Sequence, residues 1–164
     1  MTKKPDFLIP PIEQMLSDDE RFMREALREA KKAYLIDEVP VGAVVVYEGE
    51  IIARGHNQVE LLRDATAHAE MCAITTAESA LGNWRLSECT LYSTLEPCTM
   101  CAGAMLLSRV HTLVWGAKDL RHGANGSWIN VFELSHPTHL LNIRHGVLKQ
   151  WCEMPLKQFF QSKR

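Results

Sequence analysis

The stretch TLYSTLEPCTMCAGAMLLS, residues 90–108, decides the fold of this chain. Its first part, Thr90–Leu95, is rich in β-branched and aromatic residues and predicts a short strand. Pro97 is typical of the first turn of a helix, and the residues after it predict a helix over about 98–108. A strand that leads into a helix is characteristic of a sheet covered by helices.

The segments on either side extend this unit into a single sheet. Ser17 followed by Glu20 is a capping-box pair that introduces a helix over 18–35. Residues 117–139 are rich in Gly, Asn, His and Pro, and they predict a long loop with one helical turn at 128–132. The remaining predicted elements are a hairpin of strands 41–47 and 51–55, a helix from Thr66 to about Ala80 that Gly82 ends, strands 112–116 and 140–144, and a helix over 147–161 that is interrupted near Pro155. This order predicts a three-layer α/β/α sandwich, with one central mixed sheet of about five strands and helices on both faces.

Length and composition indicate one globular domain. The chain has 164 residues, of which 46% are apolar and 23% are charged, so it is neither disordered nor collagen-like. Residues 1–17 predict an irregular N-terminal extension, and residues 18–164 predict a single domain. No apolar run approaches the roughly 20 residues that cross a bilayer, and the first residues lack the apolar core of a signal peptide. We therefore expect a cytoplasmic protein with no membrane span.

Charge is distributed unevenly along the chain. Residues 1–108 carry a net charge of −7, whereas residues 109–164 carry +5 and five of the seven histidines. This asymmetry is compatible with a polyanion, such as a nucleic acid, bound by the C-terminal third. A solvated helical face without a partner explains the same charges.

Two predicted helix starts carry residues that indicate chemistry. His68 lies at the start of the second helix, and Cys98 and Cys101 lie three residues apart at the start of the third. Ligand sites of α/β sheets form where such helix ends face each other, and one helical turn brings both sulfurs to one side. Helix N-termini favour thiolates, and two sulfurs with one nitrogen suit zinc. Three ligands leave a fourth position for a water whose pKa zinc lowers to about 7, which is typical of a catalytic site.

Glu70 lies two residues after His68, so on a regular helix the two side chains point in different directions. Near the start of a helix, the carboxylate can still reach the neighbouring water. It could take a proton from this water and pass it to a ring nitrogen or to a leaving amine. Such a residue acts as a general acid and base without binding the metal.

Two other chemistries fit the same cysteines. Cys72 lies four residues after His68 on one helix face, so Cys72 as a fourth ligand would give a closed, structural zinc site in an interaction module. Glu70 would then only favour the helix dipole. Without a metal, the pair Cys98 and Cys101 would be a redox dithiol.

The pattern H-x-E with P-C-x-x-C resembles the signature of the zinc-dependent nucleoside and nucleobase deaminases. It is formed here by His68-Ala69-Glu70 and Pro97-Cys98-Thr99-Met100-Cys101. The likeness covers residues 18–164 and implies the cytidine deaminase-like fold. Four longer segments resemble the bacterial tRNA-specific adenosine deaminases within that family: Glu38–Val44, Asp64–Glu70, Leu95–Met105 and Gly116–Asp119.

The resemblance implies a role for each matching residue. It assigns one zinc ion per subunit to His68, Cys98 and Cys101, and proton transfer to Glu70. The residues that it places against the substrate are Asn57, the backbone amide of Ala69, Asp119 and Phe160. On composition alone, the asparagine and the aspartate are ordinary turn and loop residues. One ring of the Phe159-Phe160 pair is expected to pack on the core.

The resemblance also implies a reaction and its partners. The reaction is hydrolytic deamination of adenosine to inosine at the wobble position of a tRNA anticodon, in an arginine tRNA, by a homodimer whose pocket is completed across the interface. Deamination of a free nucleobase or nucleoside, such as cytosine or guanine, is the alternative within the family. Four features depart from the family pattern and concern RNA contacts: residues 1–17, which have no counterpart in the family, a longer loop at 131–137, Pro155, and a short basic tail, Lys163-Arg164.

Overall fold

The computed structural model describes residues 6–163 of the chain, which form a five-stranded sheet and its covering helices. Two 3₁₀ turns, Ile12–Gln14 and Val131–Glu133, accompany these elements. In chain order the helices and strands are α1 (Asp18–Leu35), β1 (Gly42–Tyr47), β2 (Glu50–His56), α2 (Val59–Leu62), α3 (Ala69–Leu81), β3 (Thr90–Leu95), α4 (Thr99–Leu107), β4 (Thr112–Ala117), β5 (Asn142–His145) and α5 (Lys149–Ser162).

The sheet is mixed and runs in the order β2-β1-β3-β4-β5. Strand β1 is antiparallel to β2 and β3, whereas β4 is parallel to β3 and β5 is parallel to β4. Glu48 and Gly49 join β1 to β2 with φ angles of 50° and 80°, as in the tight turns whose twist matches paired strands. The parallel pair β3 and β4 needs a crossover, which α4 supplies.

Both faces of the sheet are buried under helices. Val44 and Val46 of β1 pack on one face with α1 and α5, whereas Ala43 and Val45 pack on the other with α3 and α4. The fully buried residues of α1 that face the sheet recur at helical spacing: Met23, Ala26, Leu27 and Ala30. The sheet therefore lies between two helical layers, which confirms the predicted α/β/α sandwich.

Helix α3 begins later than the sequence predicts. Thr66 does not cap it, because the backbone N–H and the hydroxyl of Thr66 both donate to the Asp64 carboxylate, at 2.8 and 2.7 Å. His68 precedes the first helical turn instead, and Gly82 ends the helix in the left-handed conformation, as predicted. Helix α2 is too short to show a period in the sequence.

Helix α5 is continuous through Pro155, so the predicted interruption is wrong. A proline removes one hydrogen bond from the helix interior. Pro155 itself is buried, and Cys152 and Phe159 on either side of it pack into the core. This packing holds the helix together across the lost hydrogen bond.

Part of the predicted N-terminal extension packs on the helices. Residues 1–5 lie outside the described residues. Phe7 is buried, with its ring edge against Tyr34 and the ring centroids 5.5 Å apart. The Nε atom of Arg24 donates to the carbonyl oxygen of Pro10 at 2.7 Å. The division into an extension and a domain from residue 18 stays a prediction.

Within residues 6–163, no helix combines the length and the apolarity that a membrane crossing requires. The longest helix, α1, is amphipathic and carries charged residues along its outer side.

We expect Phe7→Ala to lower the free energy of unfolding by about 3 kcal/mol, the low end for loss of a buried phenylalanine ring. Leu8→Ala is the matched control, because Leu8 is 54% exposed whereas Phe7 is 6% exposed. The control is expected to change stability by less than about 0.5 kcal/mol. Urea unfolding of the full chain measures both values, and equal effects would contradict a packed extension.

Candidate metal centre and active site

Three metal-binding side chains meet where α3 and α4 begin. His68 precedes the first turn of α3, Cys98 precedes the first turn of α4, and Cys101 lies within that turn. The Nδ1 atom of His68 lies 3.6 Å from the Sγ atom of each cysteine. All three ligand atoms lie within 4.8 Å of one another, so the structure brings the three predicted ligands into one cluster.

The donor set and its spacing fit zinc. Zinc bonds of about 2.3 Å to sulfur and about 2.0 Å to nitrogen, at tetrahedral angles, place sulfur and nitrogen about 3.5 Å apart. The separations of 3.6 Å between His68 and the two cysteines agree with this value. Three ligands from the chain leave one tetrahedral position open, as in catalytic zinc sites.

The two sulfurs hold their proton unequally. A hydrogen bond from Cys101, together with one from His68, lowers the pKa of Cys98 to about 3. The same hydrogen bond and burial raise the pKa of Cys101. The hydrogen bond with Cys98 raises the pKa of His68. A metal ion has to displace the remaining protons from this cluster, so its binding depends on pH.

Cys72 does not join the cluster. Among the described residues, the group of side chains close enough to hold a metal consists of His68, Cys98 and Cys101 alone. Cys72 lies on the side of α3 that faces β2, where its Cβ atom is next to Gly55. The closed, structural zinc site with Cys72 as fourth ligand is therefore wrong.

Glu70 is buried beside the cluster without belonging to it. Its side chain is within the first turn of α3, is 3% exposed, and lines the same cleft as His68 and Cys98. The Ser93 hydroxyl donates to its Oε1 atom at 3.3 Å. Burial raises the pKa of Glu70. The carboxylate therefore lies beside the predicted metal ligands at the cleft, where it can exchange protons with a bound molecule.

The four predicted substrate contacts all lie on this cleft. Its volume is about 1430 Å³, which is more than a single nucleobase needs. The residues concerned are Asn57, Ala69, Asp119 and Phe160. Phe159 is buried in the core whereas Phe160 is 49% exposed, which confirms that one ring of the pair packs inside.

The two carboxylates that the sequence interpretation missed, Glu38 and Glu96, are almost fully buried and lie among the residues that line the cleft. Glu38 accepts from the Asn57 side-chain amide at 3.1 Å and from the backbone N–H of Leu61 at 2.7 Å. Glu96 accepts from the backbone N–H of Asp119 at 3.1 Å. Each of the two thus holds a predicted substrate contact in place. Both residues lie inside segments that resemble the family, Glu38–Val44 and Leu95–Met105. A glutamate in a sequence does not, however, show whether its carboxylate is buried or exposed.

Comparison with protein families agrees with this geometry. Residues 16–117 match the cytidine and deoxycytidylate deaminase zinc-binding region. This chain belongs to that deaminase family. The match and the three-ligand cluster together confirm zinc as the cofactor.

Within the family, the chain is similar to the tRNA-specific adenosine deaminases, as the sequence motifs predict. It is 48% identical to that enzyme of Bacillus subtilis (strain 168), over 91% of this chain and 92% of the relative. It is 56% identical to the chloroplastic tRNA(adenine(34)) deaminase of Arabidopsis thaliana, over 87% of this chain but 12% of that much longer protein. A structure solved in studies of A-to-I editing by tRNA:A34 deaminases is 43% identical, with a TM-score of 0.80 over 83% of this chain and 99% of the other.

We expect Cys98→Ser to remove zinc from the purified chain and Cys72→Ser to leave it bound, because only the former sulfur lies in the cluster. Elemental analysis of the purified variants measures zinc per chain. Wild type and Cys72→Ser are expected to hold one zinc each. Loss of zinc from Cys72→Ser would reinstate the structural site, and zinc-free wild type would favour the redox dithiol.

Proposed function

We propose that the chain catalyses the hydrolytic deamination of adenosine to inosine at the wobble position of a tRNA anticodon, in an arginine tRNA. The supporting observation is a buried carboxylate, Glu70, next to a cluster of three zinc ligands with an open fourth position. Water is consumed and ammonia is released. An enzyme that acts on tRNA must be located where tRNA is found, so we propose that this chain works in the cytoplasm.

His68, Cys98 and Cys101 would hold the zinc ion, which would activate a bound water near neutral pH. Glu70 accepts a proton from the attacking water and delivers it to the ring nitrogen of adenine. After the water oxygen has bonded to the amino-bearing carbon, Glu70 takes the remaining proton from that oxygen and passes it to the amino group. The carbon–nitrogen bond then breaks, ammonia leaves, and the oxygen remains as the carbonyl oxygen of inosine. The hydrogen bond from Ser93 to one carboxylate oxygen fixes the orientation of the other during both transfers.

The cleft offers separate contacts to the base and to the RNA. Ala69 is the first residue of α3, so its backbone amide lacks a carbonyl partner within the helix and is available to the base. Asn57, whose side-chain amide donates to Glu38, lines the same cleft and is the second contact proposed for the base. Lys118 and Arg121 also line the cleft and suit the phosphates of an anticodon loop, whose unpaired bases are accessible.

Deamination of a free nucleobase or nucleoside is not favoured. The relatives that cover most of the chain, at 48% and 46% identity, are named as tRNA-specific adenosine deaminases. The cleft also extends from Glu70 to Lys118 and Phe160, beyond what a free base would occupy.

We expect Glu70→Gln to keep one zinc per chain and to lower the rate of inosine formation by about 100- to 10,000-fold, because the amide cannot transfer protons. The assay uses an anticodon stem-loop of arginine tRNA, with free adenosine, cytosine and guanine in parallel. Glu78→Gln, on the same helix, is the control and should retain full activity.

Two outcomes would contradict this proposal. Zinc loss from Glu70→Gln would give Glu70 a structural role. Turnover of a free base without turnover of the stem-loop would favour the alternative reaction.

We also propose that the chain forms a homodimer through α4. Its residues Met100, Gly103, Ala104 and Leu107 follow the spacing i, i+3, i+4, i+7 and form one apolar stripe. Leu107 is 66% exposed, and a side chain added at Gly103 would meet open space. A small, apolar helix face of this kind allows two helices to approach closely, and its exposure is costly in a monomer.

We expect Leu107→Arg to convert the dimer into a monomer, because a charge in the stripe cannot be buried without a partner. Leu134→Arg is the matched control, since Leu134 is 65% exposed but lies outside the stripe. Sedimentation velocity over a range of concentrations gives the mass of each variant. A dimer that survives Leu107→Arg, or a monomeric wild type, would contradict the proposed interface.

A further inference from the structure

An exposed tryptophan stands on the rim of the cleft. Trp128 lies in the loop between β4 and β5, 63% of its surface is exposed, and it lines the same cleft as Glu70 and Asn57. A large aromatic side chain that is open to water beside a functional cleft indicates a surface that a partner covers.

The backbone below this ring is fixed by the buried carboxylate of Glu96. Its Oε1 atom accepts from the backbone N–H of Asn125 at 2.9 Å and of Ser127 at 3.1 Å. Its Oε2 atom accepts from the backbone N–H of Asp119 and from the Ser127 hydroxyl. Hydrogen bonds to a charged acceptor are stronger than those between neutral groups. Residues 119–127 thus wrap around a single carboxylate.

Gly123 completes this attachment. Its carbonyl oxygen accepts from the backbone N–H of Trp128 at 3.0 Å, and the next N–H along, that of Ala124, donates to the carbonyl oxygen of Pro97 at 2.8 Å. A Cβ atom at Gly123 would collide with the carboxyl group of Glu96, so only glycine allows this approach. The Trp128 ring is therefore presented on a backbone that hydrogen bonds hold next to the zinc ligands.

We propose that Trp128 stacks on an unpaired nucleobase adjacent to the one that Glu70 deaminates, an inference that rests on the proposed function. The occupant follows from the surroundings of the ring. Lys118 and Arg121 line the same cleft and suit the phosphates on either side of such a base. Aromatic faces combined with nearby cations are the usual means of binding single-stranded nucleic acid.

Trp84 provides an internal contrast. It is 49% exposed, but the guanidinium of Arg85 lies 4.1 Å from its ring centroid, and the residue is not among those that line the cleft. This cation already covers one face of the Trp84 ring. Trp84→Ala is therefore a control for the loss of an exposed tryptophan as such.

The test measures binding of an anticodon stem-loop RNA to zinc-loaded chains in the Glu70→Ala background, where turnover does not interfere. Trp128→Ala is expected to raise the Kd roughly 10-fold or more, whereas Trp128→Phe, which keeps a ring, should raise it by less than about 5-fold. Trp84→Ala should leave the Kd unchanged. When the base of one nucleotide next to the target adenosine is removed from the RNA, the chain with Trp128 and the Trp128→Ala variant should bind with the same Kd.

Three results would overturn the proposal. They are an unchanged Kd for Trp128→Ala, an increase that persists in full on RNAs lacking either neighbouring base, and an increase that accompanies a change of oligomeric mass. The last result would indicate that the Trp128 ring packs against a second subunit and not against RNA. Inosine formation by the wild-type chain is measured in a separate assay. If no inosine forms, the proposed function is refuted, whereas the Kd values still show whether Trp128 contacts an RNA base.

Discussion

The site depends on one constraint, which is that two helices begin side by side on the same face of the sheet. Helix α3 brings His68 and helix α4 brings Cys98 and Cys101, and their ligand atoms lie within 4.8 Å of one another. Gly55 of β2 makes this possible, because a side chain there would collide with the backbone of α3 at its first turns. The positive ends of both helix dipoles meet at the sulfurs and favour thiolates, so the fold prepares the cluster for a cation.

The same helix start separates His68 from Glu70, the residue proposed to carry protons. His68 precedes the first turn in an extended conformation, whereas Glu70 is already helical, so their side chains leave the backbone in different directions. Glu70 is thereby buried next to the cluster and is not one of its three side chains. Burial of a carboxylate is costly, and it is tolerated here because Ser93 donates a hydrogen bond and the α3 dipole points toward the charge.

Local patterns were sufficient where the determining residues lie close together in sequence. They predict the strands, the sandwich and the pair Cys98 and Cys101, since each depends on a period or on a short spacing. His68 is 30 residues from Cys98, and the family signature, not a local spacing, joins it to the pair. They fail for Cys72, because the interval of four residues gives its helix but not which side of that helix faces β2. They also fail for Pro155, which tertiary packing accommodates, and for Glu38 and Glu96, whose burial depends on segments 20 to 30 residues away.

Glu96 links the metal cluster to the proposed RNA-binding surface because it lies two residues before Cys98. A shift of the zinc-binding turn would carry the Glu96 carboxylate with it, and the loop that donates four hydrogen bonds to that carboxylate would follow. The positions of Trp128 and Asp119 on the rim are therefore coupled to the metal cluster. The coupling runs along the backbone from Cys98 to Glu96, and from the buried Glu96 carboxylate through its hydrogen bonds to the loop. An enzyme that must hold a large RNA while acting on one base needs this rigidity, because a small misplacement of the reacting groups costs much of the rate.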